Sequence, residues 1–184
     1  MANDNSVRWL DWAREIQAIS QTGMHYSQDE YHRMRFERLI EIAAEIIGDY
    51  TGIPVNGLKE DFLDQKGYAT PKVDVRGAVI RDGKILLVQD AHDGLWCMPG
   101  GWADIGAAPS KMVEREVWEE GGFCVHARKV VGIFEGNRDS PPLTLYYVYK
   151  IVFLCDIIDG EARPSIETTA VKFFPLDDLP QFSS

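Results

Sequence analysis

The chain has few of the residues that mark several common functions. Only three cysteines, Cys97, Cys124 and Cys155, occur in 184 residues. They lie far apart and form no CxxC pair, which argues against a disulfide scaffold or a thiolate zinc site and fits reduced thiols in a cytoplasmic protein. The four histidines show no metal-ligand spacing, and His92 and His126 read as structural or exposed. Basic residues are outnumbered, 19 Lys and Arg against 29 Asp and Glu, for a net charge of −10. Such a chain is a poor partner for nucleic acid or an anionic membrane. No apolar run nears membrane-spanning length, and the opening MANDNSVRWL lacks the apolar stretch of a signal peptide. Repeats and low-complexity tracts are also missing. What remains is 45% apolar and 26% charged, the balance of a soluble globular protein with room for one domain and a smaller companion.

The first third is helical in pattern. Trp9, Trp12, Ala13, Ile16 and Ile19 recur at helical spacing over Val7 to Gln21, and Gly23 is expected to end that helix. Ser27-Gln28-Asp29-Glu30 has the spacing of a capping box. Phe36, Leu39, Ile40, Ala43, Ile46, Ile47 and Tyr50 then mark one face of a helix reaching about Asp49, with a short third helix near Val55–Leu63. Trp9 and Trp12 read as core or interface. After Lys66–Lys72 (KGYATPK) the period changes. Val73–Ile80, a turn at Asp82-Gly83, and Ile85–Gln89 form a hairpin pattern. Val125–Phe134, Leu143–Cys155 and Val171–Phe174 read as further strands, with Asn137–Pro142 a loop between two of them. Strands around a helix without regular βαβ alternation predict an α+β layered fold with a mixed sheet.

The stretch GLWCMPGGWADIGAAPSKMVEREVWEEGGF, Gly94 to Phe123, carries the chemistry. Pro109 stands at a first helical position and Gly121-Gly122 stops the helix. Glu116, Glu119 and Glu120 stand at i, i+3 and i+4, so three carboxylates share a face with Arg115 beside them. Like charges at about 4 Å repel by roughly 4 kcal/mol at an effective dielectric near 20. The last helical turn also favours cations over Glu. A hard divalent cation held by oxygen ligands removes both conflicts, and Mg2+ is the usual partner of a few carboxylates plus substrate phosphates. The alternative is a solvated acidic face.

Gly101, Arg115-Glu116-Val117, Glu119-Glu120 and Gly122-Phe123 stand at the spacing of the Nudix box. In these residues the chain resembles the Nudix hydrolases, which cleave nucleoside diphosphates linked to another group. One position departs, because the family's first glutamate falls on Ala107. In the family that side chain helps to hold the arginine and the loop, so the departure bears on loop rigidity rather than cation binding. The front half, WLDWAREIQAISQTGMHYS through GYATPKVDVRGAVI, resembles the helical extension of one Nudix subgroup, and the likeness runs from about Trp9 to the closing FFPLDDLP. The resemblance implies a mixed sheet sandwiched between helices, with residues 1–66 as a helical N-terminal domain for dimerisation and packing and residues 67–184 as the Nudix domain. It implies a homodimer acting on a small nucleoside diphosphate derivative, with CDP-choline cleaved to CMP and phosphocholine as the first expectation. ADP-ribose is the near alternative, a non-catalytic nucleotide sensor a second, and RNA 5′ ends suit the chemistry but not the net charge.

Expected roles follow residue by residue. Glu116 and Glu120 are the principal expected ligands of Mg2+, or of Mn2+ in its place, with the Gly100 carbonyl joining them because the Gly-Gly turn lets backbone approach an ion. Glu119 is a further ligand or orders the attacking water. Such cations polarise phosphate oxygens and make hydroxide available near neutral pH. Arg115 positions the Glu cluster, with Glu119 its expected helix partner. Arg76, Trp102 and Asp104 are assigned to substrate; for Arg76 an ordinary pairing with Asp74 stays open. Asp104 and Glu135 are further candidates for metal contact or base. Glu167, in SIETT, is a late acid of the kind that serves some Nudix enzymes as general base. One face of Tyr146, Tyr147 and Tyr149 is a candidate for base stacking. Nothing near Cys97 suggests a nucleophile.

Overall fold

A computed structural model describes residues 8–136 and 145–182. The chain forms two compact units, residues 1–71 and 72–184. The expected loop 137–142, the start of the strand expected from Leu143, and Val7 lie outside the described residues.

The first unit is three helices, α1 (Arg8–Tyr26), α2 (Glu30–Thr51) and α3 (Val55–Asp64). Its core is Leu10, Ala13, Ile40, Ala43, Ala44, Ile47, Leu58 and Phe62, all buried, the stripe that helical spacing predicts. Trp9 stacks on Tyr50 with ring centroids 4.4 Å apart, whereas Trp12 is half exposed beneath the Arg8 guanidinium. Two expectations need correction. Gly23 does not end α1 but lies inside it, because a Cβ there would overlap the Phe36 ring of α2; close helix packing, not termination, requires the glycine. The cap of α2 is Asp29 rather than Ser27, its carboxylate accepting the His32 N–H at 3.0 Å. At the other end Gly52, at φ 75°, closes α2 in the left-handed conformation. The segment after α3 is tied down, since Gly67 O accepts from Gln21 and Ala69 N–H donates to Thr22.

The second unit contains β1 (Lys72–Arg81), β2 (Lys84–Asp90), β3 (Trp96–Cys97), β4 (Gly100–Trp102), α4 (Pro109–Gly121), β5 (Phe123–Glu135), β6 (Val148–Gly160) and β7 (Thr168–Pro175). The sheet is mixed, as expected. β1 runs parallel to β6 and antiparallel to β4 along its first half, and its end turns through Asp82-Gly83 onto β2. β2 pairs with β3 and β7, and β5 flanks β6. β3 and β4 lack the length to show alternation, so no strand was expected there. β6 begins five residues later than expected and runs five further, to Gly160, because pairing with β5 continues past Asp156 and Asp159. Met112, Val113 and Val117 of α4 pack on Val75, Val79 and Leu86. Gly77 permits that approach, since a Cβ would meet Val117 Cγ2.

The three cysteines are free thiols. Among the described residues no helix is long and apolar enough to cross a membrane.

Candidate active site

Packing of one face of α4 on the sheet leaves Arg115, Glu116, Glu119 and Glu120 on the other, toward the Pro99-Gly100-Gly101 turn. Gly100 has φ +149° and its Cα lies against the Val75 carbonyl, so no side chain fits there. Its N–H donates to Glu120 Oε2 at 2.9 Å. A Cβ on Gly101 would come 3.3 Å from Glu116 Oε2. The two glycines therefore let backbone stand against the two inner carboxylates. Glu119 is exposed, while Glu116 and Glu120 are half-buried.

Electrostatics follow from that placement. Burial pushes the Glu120 carboxyl up to about 7; the Gly100 N–H and Arg76 oppose the rise, and the charges of Glu116 and Glu167 add to it. Glu116 is raised too, again by burial first, with Arg115 opposing and Glu119 and Glu167 adding. Repulsion within the trio is thus present but second to desolvation. Two half-buried acids held in their unfavourable state by the fold suit a hard cation. Among the described residues no three acidic, His or Cys side chains converge as a complete metal cage. The donors here, two carboxylates and a turn of bare backbone, fit a Mg2+-type ion that fills its shell with water and phosphate oxygens.

Arg115 is held differently from expectation. Its Nη2 reaches Asp104 Oδ2 at 2.7 Å and Glu116 Oε1 at 3.2 Å, and Glu119 is the most distant of the three at 3.9 Å. Asp104, assigned from sequence to substrate, thus bridges the loop to the arginine, the task that the family gives to the glutamate replaced here by Ala107. Arg76 is paired with Asp74, its Nε and Nη2 each 2.7 Å from a carboxylate oxygen. Trp102 ends β4 half exposed. Glu135 ends β5, opposite Tyr149, the one tyrosine of the three inside a strand. Tyr146 lies under the Lys72 ammonium. His126 is exposed beside Glu114, and burial raises Cys97 to about 11, away from thiolate chemistry.

Glu167 could not be placed from sequence because it is brought in by a loop. The Thr168 hydroxyl donates to the Glu120 carbonyl at 2.9 Å, and Ala91 N–H donates to the Glu167 carbonyl at 2.9 Å. The segment is thereby pinned to the end of α4, and the Glu167 charge is felt by both Glu116 and Glu120. Lys150 was missed, and Asp74 was named only as a possible partner of Arg76; strand pairing sets the two side by side.

Comparisons with known proteins agree with this geometry. Residues 71–184 match the NUDIX domain, and residues 7–62 match a UDP-X-like, N-terminal oligomerisation domain. The Bacillus subtilis (strain 168) protein YjhB, provisionally named an ADP-ribose pyrophosphatase, is 40% identical over 96% of this chain and 85% of its own. The crystal structure of an ADP-ribose pyrophosphatase from Streptococcus suis 89-1591 aligns with TM-score 0.55 and 44% identity, over 61% of this chain and 80% of that one. That of a UDP-X diphosphatase aligns with TM-score 0.58 and 29% identity, over 96% and 86%. Nudix hydrolases generally depend on a divalent metal, which is the need that the paired carboxylates express. The helical first unit, the mixed sheet and the acid-bearing helix behind a glycine turn therefore belong together, and the chain is a member of the Nudix hydrolase family.

Proposed function

We propose that this chain hydrolyses the diphosphate bridge of ADP-ribose in the presence of Mg2+, giving AMP and ribose 5-phosphate. The observation that carries the reaction class is the half-buried Glu116–Glu120 pair facing the Gly100-Gly101 turn. The names of relatives at 40% and 44% identity support ADP-ribose. A UDP-linked compound is the second reading, supported by the UDP-X diphosphatase that aligns over most of the chain. CDP-choline, expected from sequence, appears in none of these names and ranks below both.

Bound at this site, Mg2+ would polarise the phosphate oxygens and make water a competent nucleophile near neutral pH. Glu116, Glu120 and the Gly100 carbonyl would hold the ion, and Glu119 would order the attacking water. Arg115, braced by Asp104, keeps Glu116 in place. Water adds to one phosphorus, the bond from that phosphorus to the bridging oxygen breaks, and the other phosphate leaves with its electron pair. The Glu167 carboxylate, an exposed acid whose charge acts on both glutamates, takes the water's proton. Asp104 on Arg115 supplies a brace that Ala107 cannot, which supports catalysis over a non-catalytic nucleotide sensor. We assign the first unit to homodimer formation. Trp12 and Ile19 on α1 and Tyr31 and Met34 on α2 are all more than half exposed, apolar surface of the kind that a second copy covers.

A panel of ADP-ribose, UDP-sugars and CDP-choline, assayed by phosphatase-coupled release with Mg2+ or Mn2+, tests the reading. ADP-ribose should be turned over fastest; a clear preference for CDP-choline would reverse the ranking. Sedimentation of the full chain should give twice the monomer mass.

A further inference from the structure

The row of side chains that crosses the sheet at Asp74 holds a charge that the acid cluster does not use. Register sets Trp102, Asp74, Lys150 and Phe134 opposite one another on β4, β1, β6 and β5, and directly opposed residues share a face of a sheet. Asp74 is 4% exposed and gives both carboxylate oxygens to Arg76. Arg76 donates from its remaining nitrogen, Nη1, to the Met98 carbonyl at 3.1 Å. That pair is closed, with its charges matched and every guanidinium nitrogen engaged. Lys150 is not closed. Among the described residues no carboxylate lies within ion-pair distance of its ammonium, and the acid acting on it, Asp74, is already claimed by Arg76.

Such a lysine is out of place structurally. Burial, then the neighbouring Arg76 charge, hold its pKa below the usual lysine range. A half-buried ammonium beside a guanidinium, without an acid of its own, is destabilising until an anion arrives. The setting favours that arrival, because Arg76, Lys150 and Asp74 together leave one positive charge in a chain of −10. The row is linked to the acid cluster through Arg76: two residues along β1 from Asp74, Arg76 stands opposite Gly100, whose N–H meets Glu120. Trp102 and Phe134, at the ends of the row, are each 54% exposed, which leaves the row open to a ligand.

We infer that Lys150 holds a phosphate oxygen of the diphosphate substrate, and that Arg76, locked to Asp74, positions this row instead of gripping substrate itself. The inference rests on the pyrophosphatase reading for its ligand but not for its geometry. Lys150→Met and Lys150→Arg, made in the full chain, test it with two readouts: KM and kcat on ADP-ribose with Mg2+, and calorimetric binding of magnesium pyrophosphate. Lys150→Met should raise KM and weaken pyrophosphate binding about tenfold or more while kcat changes less, and Lys150→Arg should recover most of the loss. Unchanged KM and pyrophosphate affinity in Lys150→Met overturn the inference while leaving wild-type turnover, and so the enzymatic reading, intact. Lys150-dependent pyrophosphate binding without cleavage of any nucleoside diphosphate compound does the reverse. Wild-type protein that neither binds pyrophosphate nor cleaves ADP-ribose removes both. If Lys150→Met loses the wild-type circular dichroism spectrum, Lys150→Gln serves in its place under the same criteria.

Discussion

In the helical unit α2 begins on a capping aspartate and ends on a left-handed glycine, and Arg38 meets Glu41 and Glu45 at 2.8 Å each. In α4, which also ends on a left-handed glycine, no side chain caps the start, and burial raises two carboxylates, Glu120 to about 7. The helices have similar apolar stripes, so the contrast is not one of packing. It separates a helix whose start is capped and whose surface acids meet an arginine from one whose acids are held against the cost of burial. The second arrangement lowers stability and persists where chemistry needs it.

The largest test of that contrast is Glu120→Gln. Loss of several kcal/mol of transition-state stabilisation corresponds to about three orders of magnitude in kcat, with circular dichroism unchanged; turnover near wild type would place the metal elsewhere. The next concerns stability. A carboxyl raised from 4.5 to about 7 keeps, in the folded protein, a proton that the unfolded chain has already released. Without metal, stability should therefore fall as pH rises from about 4.5 to 7, by roughly 3 kcal/mol in all, and stay low above that. Glu120→Gln should flatten this slope and leave the metal-free protein more stable than wild type at pH 8, and added Mg2+ should restore wild type but not the variant. Equal pH profiles in chemical denaturation would mean that the acid is not strained. A smaller effect isolates the loop: Asp104→Ala should lower kcat about tenfold, the range found for outer supports of metal ligands. Ala107→Glu should recover part of that loss while doing little alone and leaving substrate ranking unchanged. Additive effects in the double-mutant cycle would deny that the two positions share the arginine. Smallest, and on the other side of the comparison, Asp29→Ala should destabilise the helical unit by about 1 kcal/mol without altering kcat.

Much of this was legible in order. Helical stripes, the Asp82-Gly83 turn and the long alternating strands are set by local periodicity and turn chemistry, which act over a few residues. The Glu trio is legible for the same reason, since i, i+3 and i+4 on a helix are neighbours whatever surrounds them. Positions whose setting depends on a distant partner were misread or could not be placed. Gly23 resembles a helix stop until Phe36 of α2 is seen against it. Asp104 resembles a free loop acid until Arg115, eleven residues on, takes it at 2.7 Å. Glu167 shows no motif at all, because a hydroxyl bond from Thr168 to the end of α4 fixes its loop.

What the sequence determined by itself is the inventory of chemistry: a negatively charged chain, an acid-bearing helix with glycines on both sides, and a leading pair of amphipathic helices. Side-chain spacing on a helix is a property of the backbone and needs no tertiary context. Which acids are buried, which arginine is already matched, and which lysine is left with unmatched charge were decided only by the packing of β1 against β4 and β6 and of α4 above them. Burial and pairing are relations between residues far apart in the chain, and desolvation, the largest cause acting on Glu116, Glu120 and Lys150, exists only once the fold has closed.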